Sequence, residues 1–222
     1  RWDDADNAYS KAVDLLPDNT NALVVRSELR GLLGLWDIAA DDYAREMQLH
    51  KSELTWRWFR HALLRLHVGD EAGYRQACQR MNELFRGTIA PDMASEVVRT
   101  SLLLPNPEVD IPQLRRTQEH MVASNPNSWL AQYILGITRY RADDFDGAIA
   151  SLETSLAETH ASVRGLSYPI LAMSHAQMGR VSEAQMALGA AARCLEEWTQ
   201  YRCNISDGNW VIHRGATVSW PL

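Results

Sequence analysis

Cysteine is scarce in this 222-residue chain: there are three, Cys78, Cys194 and Cys203, with no Cys-x-x-Cys pair. Such a set argues against a disulfide framework and favours a reducing compartment, so we expect a cytoplasmic location. No run of about eighteen apolar residues occurs, which excludes a membrane-spanning helix. Basic residues are outnumbered, giving a net charge of −6. This charge argues against non-specific binding to nucleic acid or to an anionic membrane.

Sequence motifs for catalysis are also missing. The seven histidines are dispersed, and His61 and His67 are six residues apart, which does not place them on one helical face for a metal. There is no His-Glu-x-x-His, no glycine-rich phosphate loop and no Gly-x-Ser-x-Gly. We therefore predict that the chain is not an enzyme and has no catalytic residue, metal or cofactor.

Two polar features allow a chemical interpretation and a structural one. Cys78 lies near Arg75, yet a buried core thiol is favoured over a reactive one. The aspartates at 143, 144 and 146 resemble the start of a calcium loop but lack its later ligands. A polar turn that caps the next helix is the favoured interpretation.

What the sequence does contain is helical periodicity, clearest from Trp129 to Leu156. Apolar residues recur there at steps of three and four, which predicts two amphipathic helices joined by a turn at Arg141–Asp146. Gly136 and Ala148 have little or no side chain, so the two helices can approach closely. One such pair cannot bury its own apolar face and must stack on neighbours.

The same landmarks recur along the chain. Ala5 to Ala39 and Tyr9 to Tyr43 are both 34 residues, Gly34 to Gly69 is 35, and Ala148 to Ala184 is 36. The pattern predicts helix pairs at 20–49, 53–86, 91–125, 129–156 and 162–200, preceded by a half-repeat at 2–17. The 91–125 pair is the most divergent, because prolines at 105, 107 and 112 force a long connection before a second helix from about Ile111 to Ala123.

These landmarks, a large residue followed by Leu135-Gly136, Tyr140 and Ala148, resemble the tetratricopeptide repeat (TPR). We predict an all-α fold, an α-α superhelix (TPR solenoid) of about five helix hairpins plus an N-terminal half-repeat, over residues 1–200. Residues 201–222 are predicted to be a capping or linker segment in which Trp198, Trp210 and Trp220 pack over the end of the stack.

A narrower resemblance covers residues 58–85 and 127–200. Gly69-Asp70, Gly73-Tyr74-Arg75 and the Leu171-Ala172-Met173-x-His175 run are similar to the C-terminal TPR regions of large bacterial multidomain proteins. Those regions follow Ser/Thr kinase or β-propeller domains. The resemblance implies a non-catalytic interaction arm, part of a longer bacterial chain, whose partner is a protein or peptide.

In TPR proteins the first helix of each pair lines a concave groove. Its usual exposed positions fall here on Asn21, Val24, Glu28, Leu130, Tyr133, Ile137, Leu166, Pro169 and Met173. None of them carries the Lys/Asn clamp by which chaperone-binding TPRs hold a terminal carboxylate, so that ligand is not expected. Tyr133, Ile137 and the neighbouring Tyr140 are predicted to contact the partner.

A second set of predicted partner-binding residues is rich in tryptophan and arginine, the types enriched at interface hot spots. Its members are Trp56, Arg57, Trp58, Arg60 and Arg65. In one interpretation these residues anchor an acidic or aromatic peptide. In the other, Trp56 and Trp58 pack between repeats while the arginines extend to solvent.

The predicted function is a protein- or peptide-binding scaffold that uses the concave groove. Two alternatives stay open. One is a regulatory sensor whose groove binds a signalling peptide, and the other is an arm that presents substrates to an attached Ser/Thr kinase.

Overall fold

A computed structural model describes residues 2–49, 54–85, 91–105, 109–157 and 161–203. These residues form eleven α-helices, and no strand occurs among them. The helices are α1 (Trp2–Leu15), α2 (Thr20–Leu32), α3 (Trp36–Leu49), α4 (Thr55–His67), α5 (Glu71–Phe85), α6 (Pro91–Ser101), α7 (Ile111–Ser124), α8 (Trp129–Arg141), α9 (Phe145–Ser155), α10 (Ala161–Gln177) and α11 (Val181–Cys203). The predicted all-α fold is confirmed.

The helices pack into two compact units, Arg1–Thr100 and Ser101–Leu222. Unit 1 holds α1 to α5 and nearly all of α6, and unit 2 holds α7 to α11. The predicted boundary between a repeat domain at 1–200 and a capping segment stays a prediction. Residues 204–222, with Trp210 and Trp220, lie outside the described part of the chain, as does the side chain of Trp198.

Four hairpin turns each contain one residue in the left-handed region of the backbone map. Gly34, Gly69 and Gly179 have φ values of 76°, 78° and 72°, and Asp143 has φ 58°. Glycine adopts this conformation without a steric penalty, and aspartate tolerates it better than most residues. These turns lie between α2 and α3, α4 and α5, α8 and α9, and α10 and α11.

Side-chain caps fix the beginnings of several helices. Asp144 Oδ1 accepts a hydrogen bond of 3.0 Å from the backbone N–H of Gly147, and Ser128 and Asp110 cap α8 and α7 in the same way. The cap at Asp144 satisfies an N–H group that has no partner within the helix. The interpretation of residues 143–146 as a capping turn is therefore confirmed.

Close packing of α8 on α9 depends on the absence of a side chain at Gly136. A Cβ atom placed there would lie 2.6 Å from Cγ of Leu152, which is fully buried. Ala148 is also fully buried in this contact region. The predicted role of small residues in bringing the two helices together is confirmed.

Candidate functional site

An aromatic ring flanked by two cations lies in the first turns of α4. The guanidinium carbon of Arg57 is 5.3 Å from the centroid of the Trp56 ring, and that of Arg60 is 4.9 Å from it. Both distances are within the range of cation–π attraction. Trp56 is half-buried, so part of its indole ring remains accessible.

Both arginines also bind α2 and α3. Arg57 donates to Glu46 Oε1 at 2.7 Å and to Asn21 Oδ1 at 3.1 Å, while Arg60 donates to Glu28. We call Asn21, Glu28, Trp56, Arg57 and Arg60 the Trp56 cluster. Asn21 and Glu28 are two of the predicted groove positions. The structure therefore brings these two groove positions into contact with Arg57 and Arg60 of the predicted tryptophan and arginine set.

The charges around the Trp56 cluster balance. The cations of Arg57 and Arg60 face the carboxylates of Glu46 and Glu28. Burial lowers the pKa of Arg60, but the neighbouring Tyr43 and Glu28 raise it more, so the net change is upward. Burial raises the pKa of Tyr43 to about 12. Arg60 is therefore charged and Tyr43 neutral at neutral pH, and the guanidinium groups of Arg57 and Arg60 are each already paired with a carboxylate.

Two other members of the tryptophan and arginine set lie apart from the Trp56 cluster. Trp58 is buried, with its ring 6.4 Å from that of His61 in an edge-on arrangement. Arg65 donates to Asp70 at 3.1 Å, and Asp70 in turn accepts from the backbone N–H of Gly73 in α5. These contacts give Trp58 and Arg65 structural roles within α4 and α5.

Two of the predicted groove positions in unit 2, Tyr133 and Ile137, are inside the protein, whereas Leu130, Leu166 and Pro169 are half-buried and Met173 is exposed. Tyr133 and Ile137 are only 4% and 3% exposed, and every residue from 131 to 138 is buried. The reason is that α8 contacts three helices, α7, α9 and α10, which leaves no free side at these two residues. Val24 in α2 is buried as well. The exposure expected of these three residues is therefore wrong, and their role in partner binding stays a prediction.

Tyr140 lies at the end of α8 and is half-buried. Its ring centroid is 5.7 Å from that of Phe145, and the guanidinium of Arg141 lies over it at 5.5 Å. Tyr140 therefore supports the turn between α8 and α9, and part of its ring remains accessible.

An ion-pair network that was not predicted from the sequence is buried in unit 1. Asp42 of α3 binds Arg26 at 2.6 Å and Arg30 at 2.9 Å, and Arg30 also binds Asp6 of α1 at 2.8 Å. Ser10 accepts a hydrogen bond from Arg26. The pairs connect α1, α2 and α3. The spacing of Arg26 and Arg30, one helical turn apart, was the available signal for a shared acidic partner.

The described residues contain no group of three or more His, Cys, Asp or Glu side chains that could hold a metal ion, and no helix long and apolar enough to cross a membrane. Cys78 is buried, and burial raises its pKa to about 11, so its thiol is protonated at neutral pH. The interpretation of Cys78 as a core thiol is confirmed.

One cavity of about 300 Å³ occurs in unit 2, at the connection between α6 and α7. Its walls are mainly apolar and include Leu102, Leu104, Pro105, Val109 and Ile111. Arg141 lines one side, where it donates to the backbone oxygens of Leu102 at 2.9 Å and Leu103 at 2.6 Å. The guanidinium holds the connection in place.

The architecture of both units is that of a protein built from repeated helix hairpins. No family model and no curated protein sequence matches the chain. Solved structures do. A tetratricopeptide repeat protein from Parabacteroides merdae ATCC 43184 is 14% identical, with a TM-score of 0.60 over 87% of this chain and 72% of that one. The APC/C hetero-tetramer Cut9–Hcn1 contains a chain that is 14% identical, with a TM-score of 0.56 over 87% of this chain and 37% of that one. The chain therefore has the TPR fold.

Proposed function

We propose that this chain is a non-catalytic protein- or peptide-binding scaffold and that the Trp56 cluster contacts the partner. The observation that supports this assignment most directly is the geometry of Trp56, a half-buried indole in contact with two arginines that are themselves bound to α2 and α3. The mechanism would be side-chain complementarity, with no bond made or broken.

A ring held in this way is well suited to binding. Trp and Arg side chains are over-represented among residues that dominate interface energies. The contacts of Arg57 and Arg60 already restrict the tryptophan, so less conformational entropy is lost when a partner binds. The partner would then gain contact area at small additional cost.

The charge balance indicates what kind of partner fits best. A carboxylate of an acidic peptide would have to displace Glu28 from Arg60 or Glu46 from Arg57 before it could bind. An aromatic or aliphatic side chain packed on the accessible part of Trp56 requires no displacement. Of the two ligands that the sequence suggested, the aromatic peptide is therefore favoured.

The fold is compatible with this role. The Cut9–Hcn1 structure is a hetero-tetramer, so a chain of the same fold takes part in a protein assembly there. The cytoplasmic location, the longer multidomain chain and the two alternative functions, sensor and kinase-attached arm, remain predictions from the sequence.

The test is selection of peptides from a random library on the full chain, followed by affinity measurement with substituted chains. Trp56→Ala should weaken the selected peptides at least about tenfold, the loss expected when a hot-spot side chain is removed. Arg80→Ala is the matched control, because Arg80 is exposed and forms an ion pair with Glu83 on the surface of α5. Peptides that bind the Trp56→Ala chain as well as the unsubstituted chain would place the site elsewhere.

A further inference from the structure

The second helices of four hairpins can be aligned by one hydrogen bond. This bond closes the first turn of the helix and runs from a backbone N–H to the carbonyl oxygen four residues earlier. In α3, α5, α9 and α11 it joins Ala39 to Leu35, Tyr74 to Asp70, Ala148 to Asp144, and Ala184 to Arg180. Residues at equal distances after the accepting residue therefore occupy equivalent places. This alignment reproduces the four left-handed turn residues, each of which directly precedes its acceptor.

Three places in this alignment, which we call the receiving positions, are completely buried in α3, α5 and α9. They lie four, eight and eleven residues after the acceptor, and every one is at most 2% exposed. Their occupants are Ala39, Tyr43 and Glu46 in α3, Tyr74, Cys78 and Met81 in α5, and Ala148, Leu152 and Ser155 in α9.

Members of the receiving positions contact the first helix of the next pair. Glu46 binds Arg57 of α4, and Tyr74 Oη donates to the backbone oxygen of Thr100 in α6 at 2.5 Å. Ser155 Oγ lies 2.8 Å from Oγ of Ser167 in α10. The receiving positions thus mark the face on which a following segment docks.

In α11 the middle receiving position, eight residues after the acceptor, is not covered. Leu188 is 62% exposed, and Ala184 and Ala191 are half-buried. Ala187 is buried, as are its equivalents Ala77 and Ser151, so α11 is seated normally on its own hairpin. The exposure of Leu188 is therefore not caused by α11 separating from its own hairpin.

The exposed face of α11 forms a continuous apolar stripe. Val181, Leu188 and Leu195 follow one another at intervals of seven residues, and all three are exposed. Seven residues are close to two helical turns, so the three side chains line one side of the helix over about 21 Å. A stripe of this length is long enough to be covered by a helix of about 14 residues, which is about the length of α1, α3 and α7.

We propose that residues 204–222 of this chain dock on the α11 stripe. The segment continues directly from α11, and five residues separate α3 from α4, α5 from α6, and α9 from α10. A connection of the same length after Cys203 covers residues 204–208, and 14 residues, 209–222, follow it. Trp210, Val211 and Ile212 come directly after Asn209, the first of these 14 residues. That length equals or exceeds the 13 residues of α2, α4 and α8.

The composition of residues 204–222 fits the same occupant. Asp207 and Arg214 are its only charged residues at neutral pH, and large apolar side chains include Trp210 and Trp220. Burial of the stripe against these residues removes apolar surface from water on both sides. The α11 stripe is thus the surface that the predicted capping segment covers.

Hydrogen–deuterium exchange of the full chain, read by mass spectrometry, tests the proposal. In the unsubstituted chain, peptides from 204–222 should exchange slowly, and Leu188→Asp should raise their exchange rates about tenfold or more, because docking no longer protects them. Met186→Asp is the matched control. Met186 is 63% exposed, almost as much as Leu188, but points to the other side of α11 because two helical residues are separated by about 200°.

Two results would overturn the proposal. One is fast exchange throughout 204–222 in the unsubstituted chain, and the other is the same protection in Leu188→Asp as in Met186→Asp. Light scattering is measured in parallel. A dimer that dissociates in Leu188→Asp would show that a second copy, and not residues 204–222, covers the stripe. Neither outcome concerns the Trp56 cluster, so this proposal and the proposed function fail independently.

Discussion

Glu46 and Arg57 join α3 to α4 through an N–O distance of 2.7 Å, and the Glu46 side chain is completely buried. Met81 and Ser155 occupy the equivalent receiving position in α5 and α9, where no charge is present. A buried carboxylate is tolerated only when its charge is compensated, since removal from water is expensive. Arg57 therefore stabilises the hairpin stack as well as holding Trp56.

Arg57→Ala should destabilise the chain by about 3–5 kcal/mol, because it leaves the Glu46 carboxylate buried without its guanidinium. The measurement is urea unfolding followed by circular dichroism. Arg80→Ala removes an exposed pair with Glu83 and should change stability by about 0–1 kcal/mol. Equal effects of the two substitutions would show that Glu46 does not depend on Arg57.

Gly136→Ala should destabilise unit 2 by about 1–3 kcal/mol, because the added methyl group would lie 2.6 Å from Cγ of the buried Leu152. Gly165→Ala provides the control within the same unit. Its new methyl group would have Cys194 Cβ at 3.5 Å as its nearest neighbour, an ordinary contact. The gain in helix propensity should then raise stability by about 0.5–1 kcal/mol. Thermal unfolding of both variants distinguishes steric from backbone effects, and a stabilised Gly136→Ala would refute the close approach.

Cys78 should resist alkylation in the folded chain. Burial raises its pKa to about 11, and its Sγ lies 3.9 Å from the backbone oxygen of Thr100 in the core. At pH 8 the thiolate fraction is then roughly a hundredfold smaller than for a free cysteine, and the reagent has no access. Iodoacetamide labelling followed by mass spectrometry should modify Cys78 only after urea is added. Rapid labelling without urea would contradict the buried position.

The repeat architecture was accessible from the sequence because its signals are local. The spacing of Ala5, Ala39, Tyr9 and Tyr43 and the turn glycines depend on residues within one hairpin, and helical periodicity identifies the buried side. The paired charges are different. Arg26 and Asp42 are 16 residues apart on separate helices, and in a helical pattern each looks like a solvated surface residue. Only the packing of α2 on α3 reveals that they meet.

The candidate site was predicted in part for the same reason. Trp56, Arg57 and Arg60 form a cluster because they lie within one and a half turns of α4, which the sequence shows directly. The burial of Tyr133 and Ile137 depends on how many helices pack around α8. The sequence pattern of α8 alone does not show how many neighbours it has. Exposure was therefore the least predictable property of the proposed groove.

Unit 1 should lose stability as the pH falls from about 6.5 to about 4, because His61 is buried in its neutral form. Burial is the main cause that lowers the pKa of His61 to about 4, the nearby Arg65 lowers it further, and Asp70 raises it slightly. Between these two pH values the unfolded chain binds a proton that the folded chain excludes. The free energy of unfolding that is lost through His61 is about 3 kcal/mol at the acidic end of this range, and nothing is lost above the pKa of histidine in the unfolded chain.

Urea midpoints measured from pH 4.5 to 7 should fall toward acid in the unsubstituted chain and fall less in His61→Gln. Carboxylates titrate in both chains, so the difference between the two slopes isolates His61. His120→Gln is the control, because His120 is exposed and should leave the slope unchanged. Parallel slopes for the unsubstituted chain and His61→Gln would mean that His61 takes up its proton in the folded state, and the buried neutral imidazole would have to be abandoned.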